Sequence, residues 1–122
     1  MRRLGLAAAL AALALSGCGE NADDQAVRQV VSDYLKAFAA GDGEKACALM
    51  LPEVRRSLGD CAATLEKTVE SLSEDEQAET LTLRVDAVTA AGDNARARLF
   101  PGDSQVALRK VGGRWQIAGV PR

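Results

Sequence analysis

Leu81-Thr82-Leu83-Arg84-Val85-Asp86-Ala87-Val88 is the stretch on which the fold turns. Leu81, Leu83, Val85 and Ala87 alternate with Thr82, Arg84, Asp86 and Val88, the period of two that a strand requires. Downstream the period persists. Ala91-Gly92-Asp93-Asn94 is turn material, after which Ala95, Ala97 and Leu99 alternate with Arg96, Arg98 and Phe100. Pro101-Gly102-Asp103 turns the chain again, and Val106 and Leu108 lie opposite Ala107 and Arg109. Gly112-Gly113 is a two-residue hairpin signal, followed by a last strand that carries Trp115 and Ile117 on one face and ends near Val120. Four strands joined by tight turns form an antiparallel meander with one apolar face.

Upstream of Leu81 the spacing is helical. Val27, Val30, Val31, Tyr34, Leu35 and Phe38 make one apolar stripe, with Asp23 or Asp24 as the expected N-cap and Gly41 as the stop. Asp42 caps a second, shorter helix through Ala46, Cys47, Leu49 and Met50, and Pro52 ends it or opens the next turn. Val54 to Leu58 reads as one helical turn stopped by Gly59. Asp60 caps a third helix with Cys61, Leu65, Val69 and Leu72 on its apolar side. Ser73 to Thr80 is acidic and aperiodic, and is expected to be an irregular connection. The expectation is an α+β fold, with three N-terminal helices packed on a curved four-stranded antiparallel meander.

The first residues carry an address. Arg2 and Arg3 precede a run from Leu4 to Leu15 of Ala, Leu and one Gly, the n- and h-regions of an export signal. The run is shorter than the about 20 apolar residues that cross a bilayer. Leu15-Ser16-Gly17-Cys18 resembles the lipobox of bacterial lipoproteins: an aliphatic residue, two small residues and a cysteine. The resemblance implies a signal peptide over 1–17, acylation of Cys18 and a polar tether over 18–24. A single domain over 25–122 would then face the extracytoplasmic side, held to the membrane by its acyl chains. The alternative is an ordinary secretory signal with a chance cysteine.

Composition narrows the partners. The formal charge is −2, which argues against nucleic acid. The charge is also uneven. Acids outnumber bases from Cys18 to Thr80, and bases outnumber acids from Leu81 onward. With Cys18 acylated, Cys47 and Cys61 remain as a pair in an oxidising compartment, where a disulfide is expected. Two free buried thiols and a metal pair are the alternatives. The chain has no histidine, which disfavours metal and excludes Ser-His-Asp and Cys-His nucleophile systems. No cofactor motif is present, since Gly112-Gly113 lacks the strand-to-helix context of a nucleotide-binding loop.

Tyr34-Leu35-Lys36-Ala37-Phe38-Ala39-Ala40-Gly41-Asp42, Cys47-Ala48-Leu49-Met50 and Gly113-Arg114-Trp115-Gln116-Ile117 together resemble the nuclear transport factor 2-like superfamily. Small exported lipoproteins of that superfamily, with a cysteine pair between early helices, are similar in pattern. The resemblance implies a cone whose curved sheet wraps the first helix. It covers isomerases, dehydratases and polyketide cyclases of the SnoaL-like group as well as members without activity. Its enzymes use an acid or base lining the cone, often Asp with His or Tyr. This chain has no His and one Tyr, and the resemblance carries no catalytic Asp over to a position of this sequence.

The candidate contacts are therefore surface ones. Arg84 and Asp86 share a strand face. Asp86 is either a base in the mouth of the cone or a partner for Arg96 or Arg98 on a solvated sheet face. Arg84, Arg96, Arg98 and Arg109 make a basic stripe for an anionic partner such as an envelope protein or a wall polymer, or simply the wet side of a sheet. Trp115 is expected to anchor the core with Ile117. The sequence thus favours a lipid-anchored binding protein without catalytic activity. Its ligand is a small apolar molecule in the cone or a partner on the sheet, and homodimerisation through the open sheet face is a further expectation. The alternatives are a small isomerase or dehydratase using a carboxylate in the cavity, and a structural envelope module.

Overall fold

A computed structural model of the chain describes residues 19–119, so Cys18 and the signal segment lie outside the described residues. Among the described residues five helices precede a four-stranded antiparallel sheet, in the order α1 (Gly19–Ala39), α2 (Gly43–Ala48), α3 (Pro52–Ser57), α4 (Cys61–Glu70), α5 (Glu74–Thr82), β1 (Arg84–Ala91), β2 (Asn94–Phe100), β3 (Gln105–Val111) and β4 (Arg114–Gly119). The strands pair in chain order, as a meander must.

The apolar stripe of α1 determines where the core sits. Val27, Val31, Tyr34, Leu35 and Ala37 are buried against Ala97, Leu99, Val106, Leu108, Trp115 and Ile117 from the inner face of the sheet. Asp42 and Asp60 cap α2 and α4 by accepting hydrogen bonds from Lys45 N and Ala63 N. Gly41 and Gly59 take positive φ angles of 73° and 70° just beyond their helices, a conformation that glycine adopts without steric cost.

The second and fourth helices are bound tightly. The Cys47 and Cys61 sulfurs are 2.00 Å apart, a disulfide that joins α2 to the first turn of α4. Gly43 lies against the backbone of Ala62, and a Cβ at this position would come within 2.8 Å of the Ala62 Cα. A side chain here would force the two helices apart.

Three expectations are corrected. The connection expected at Ser73–Thr80 is mostly helix, α5. Ser73 and Glu76 form a reciprocal capping box: the Ser73 hydroxyl accepts from Glu76 N, and the Glu76 carboxylate accepts from Ser73 N. None of the residues of α5 is buried, so it has no apolar stripe to betray it. With α3 also a helix, the expected three helices become five.

The second correction concerns 18–24. The helix α1 begins at Gly19, so the described part of the expected tether is helical. Asp23 and Asp24 therefore sit inside the helix rather than capping it. The Asp24 carboxylate pairs with Arg28 one turn on, at 2.9 Å.

The third concerns β1. Leu81 and Thr82 belong to α5, and the strand starts at Arg84. Its register slips between Val85 and Ala87: Val85 faces Leu99, but Ala87 faces Arg98 and Val88 faces Ala97. The extra residue of this bulge reverses the alternation, so Val88, not Ala87, joins the core.

The far edge of the sheet is covered. Ile117 N donates to Leu49 O at 2.8 Å and Leu51 N donates to Ile117 O at 2.9 Å, a short parallel bridge between the helical half and β4. Polar backbone that would otherwise invite another strand is partnered there.

Candidate functional site: an apolar hollow and the sheet face

Where α1, α4, α5 and β2 meet, the core does not close. A hollow of about 310 Å³ remains between Tyr34 and Phe38 of α1, Leu58, Leu65 of α4, Leu83 and Leu99 of β2. The Tyr34 and Phe38 rings stack with centroids 6.1 Å apart. Three threonines complete the wall, Thr64, Thr68 and Thr80, and each donates its hydroxyl to a backbone carbonyl, of Leu58, Thr64 and Glu76 respectively. Their hydrogens are therefore committed within the protein.

Tyr34 differs. Its residue is 6% exposed, and its hydroxyl has no hydrogen-bond partner among the described residues. Among those residues no fully enclosed side-chain oxygen or nitrogen is left unpartnered. Burial pushes its pKa up to about 12, because the phenolate would lose its hydration. At neutral pH the group is a hydrogen-bond donor in apolar surroundings. None of the ten lining residues is acidic.

The outer sheet face holds the residues that the sequence singles out. Arg98 grips the Asp86 carboxylate through Nη2 at 2.6 Å and Nε at 3.1 Å, both side chains being about half exposed. Asp86 is thus the cross-strand partner of Arg98. Arg109 pairs with Glu53 of α3 at 2.9 Å. The Arg96 guanidinium reaches the Gln105 side chain at 3.5 Å, and Arg84 lies over the Phe100 ring at 4.6 Å. The arginines do fall on one face, but two carboxylates interrupt the stripe. Among the described residues no cluster of three or more metal-ligating side chains occurs, and no helix is long and apolar enough to cross a membrane.

Trp115 is buried beside Ile117, and its indole N–H donates to Asp23 at 3.2 Å. Lys110 Nζ donates to the same carboxylate oxygen at 3.1 Å. These two bonds, that of Lys110 first, hold the Asp23 carboxyl below its ordinary pKa. They also fix the start of α1 to the β3–β4 hairpin.

Sequence periodicity places Tyr34, Leu35, Phe38 and Leu65 in the core but gives no sign of the space between them, because its wall is drawn from several elements distant in the chain. Comparison of the chain with protein-family models, with curated proteins and with solved structures finds no match in any of the three. The hollow and the sheet face are therefore read on their own chemistry.

Proposed function

We propose that this is a lipid-anchored extracytoplasmic binding protein that takes a small apolar molecule into the hollow beside Tyr34. The helices-then-meander architecture is read as a nuclear transport factor 2-like cone, with the hollow as its cavity. The observation that carries the reading is the hollow itself: about 310 Å³, lined by Leu, Phe and Thr, with one phenol available to orient a ligand. Ligand pockets begin at about this volume and combine apolar walls with few polar groups. An isomerase or dehydratase would need an acid or base at the cavity, and the absence of a carboxylate from its lining favours binding over that chemistry.

The test is native mass spectrometry of protein taken from its own membrane, beside a Leu65→Trp variant that fills the space. A small molecule retained by the first and lost from the second is expected. A bare mass for the unmodified protein would count against the reading. The anchor is tested separately: Cys18→Ala is expected to move the protein from the membrane fraction to the soluble one, and an unchanged distribution would defeat it.

A further inference from the structure

A second hollow adjoins the first. It has a volume of about 250 Å³ and shares Leu35, Thr80 and Leu83 with it, so the two meet across the end of α5. Its chemistry differs. Arg28, Lys36 and Arg84 line it, with Ser32 and the exposed Leu81, and no lining residue is acidic.

The cations are only partly neutralised. Arg28 shares its charge with Asp24 at 2.9 Å and reaches the Val85 carbonyl at 3.4 Å. Lys36 and Arg84 make no ion pair among the described residues. The ring of Phe100 steadies the Arg84 guanidinium without cancelling its charge. Elsewhere on the sheet, Arg98 and Arg109 are each matched by a carboxylate. On a chain of net negative charge, a cationic recess against an apolar one is a specific juxtaposition.

We propose that the corner between α1, α5 and β1 binds an anionic single-chain amphiphile, with its alkyl chain in the Tyr34 hollow and its head group among Arg28, Lys36 and Arg84. The proposal rests on the binding reading above and narrows its ligand class. Charge complementarity selects the head: a carboxylate or phosphate accepts several charge-assisted hydrogen bonds from a guanidinium and an ammonium. The apolar walls select the tail, and Leu83 stands where the two recesses meet.

The experiment is calorimetric titration of the full chain carrying Cys18→Ala, which keeps every described residue. The probes are decanoate, decylphosphonate, decanol and decyltrimethylammonium, each below its micellar concentration. Decanoate or decylphosphonate is expected to bind at least about tenfold tighter than decyltrimethylammonium, as one or two charge-assisted contacts require. The ratio of the first two tells carboxylate from phosphate. Lengthening the tail by one methylene is expected to tighten binding about fourfold until the hollow is full. Replacing Lys36→Gln and Arg84→Gln together is expected to remove the preference for anions over decyltrimethylammonium.

With Lys36 and Arg84 left in place, added salt is expected to weaken decanoate and spare decanol, a readout that needs no change in the recess. Equal affinity for anion and cation, with decanol still bound, would overturn this proposal and leave the binding function standing. Binding of no probe would overturn both. An anion preference that survives the double substitution and is indifferent to salt would remove the head group from this mouth.

Discussion

The Tyr34 hollow and the outer sheet face handle polar groups in opposite ways. On the sheet face, charge is plentiful and half of the arginines are matched, Arg98 with Asp86 and Arg109 with Glu53, while Arg96 reaches only Gln105 and Arg84 lies on Phe100. Such exposed pairs each contribute roughly 0–1 kcal/mol, so they decorate the surface more than they hold it. In the hollow polarity is scarce. The threonine hydroxyls are satisfied by backbone, and the tyrosine hydroxyl is not satisfied by any described residue. A charge already answered by a carboxylate, as on Arg98 and Arg109, has little left to offer a partner, whereas a donor held in apolar surroundings is poised for one.

The comparison can be broken most forcefully at the disulfide, which holds the wall of the hollow. Cys47 and Cys61 are 14 residues apart, and closing a loop of that order stabilises a fold by about 3 kcal/mol in the chain-entropy model. Replacing both by serine is expected to lower unfolding stability by about that amount in chemical denaturation. Next comes Leu65→Ala. Large-to-small changes in a core cost about 2–5 kcal/mol. The lower end is expected here because Leu65 already borders empty space.

Tyr34 supplies a titration. It is the one tyrosine of the chain, so alkaline ultraviolet absorbance reports it alone. Its pKa is raised in the folded state, so its contribution to stability is complete below the ordinary value of about 10 and is lost as the pH rises toward about 12. A midpoint near 10 in the folded protein would show that the phenol is hydrated and the hollow open to bulk water. The smallest effect is expected outside. Arg98→Ala should change stability by less than about 1 kcal/mol. A larger loss would show that the outer face is structural and would blur the distinction between the two regions.

Much of this molecule can be read from local signals. The stripe from Val27 to Phe38, the caps at Asp42 and Asp60, the stops at Gly41 and Gly59 and the four strands each depend on residues close in the chain, and each is present. The cysteine pairing is legible because, with Cys18 read as the acylation site, only two cysteines remain. The helix α5 announces itself only through Ser73 and Glu76, a capping signature that its lack of an apolar face outweighs in a periodicity reading. The bulge after Val85 is set by the partner strand, so alternation along β1 alone assigns Ala87 and Val88 to the wrong faces. Both hollows belong to the same class of feature. Leu35, Leu58, Leu65, Leu83 and Leu99 are ordinary core residues until their positions in space are known.

The bridge between Leu49–Leu51 and Ile117 bears on the order in which the protein can be completed. Residues from the helical half wait for a backbone partner more than sixty positions later. Contacts of such separation form late, because the intervening chain must first be brought to order. A ribosome releasing this polypeptide from its N-terminus would therefore deliver the helical half before the strand that the Leu49 and Leu51 backbone groups clasp. Closure at this bridge follows only when Ile117 emerges.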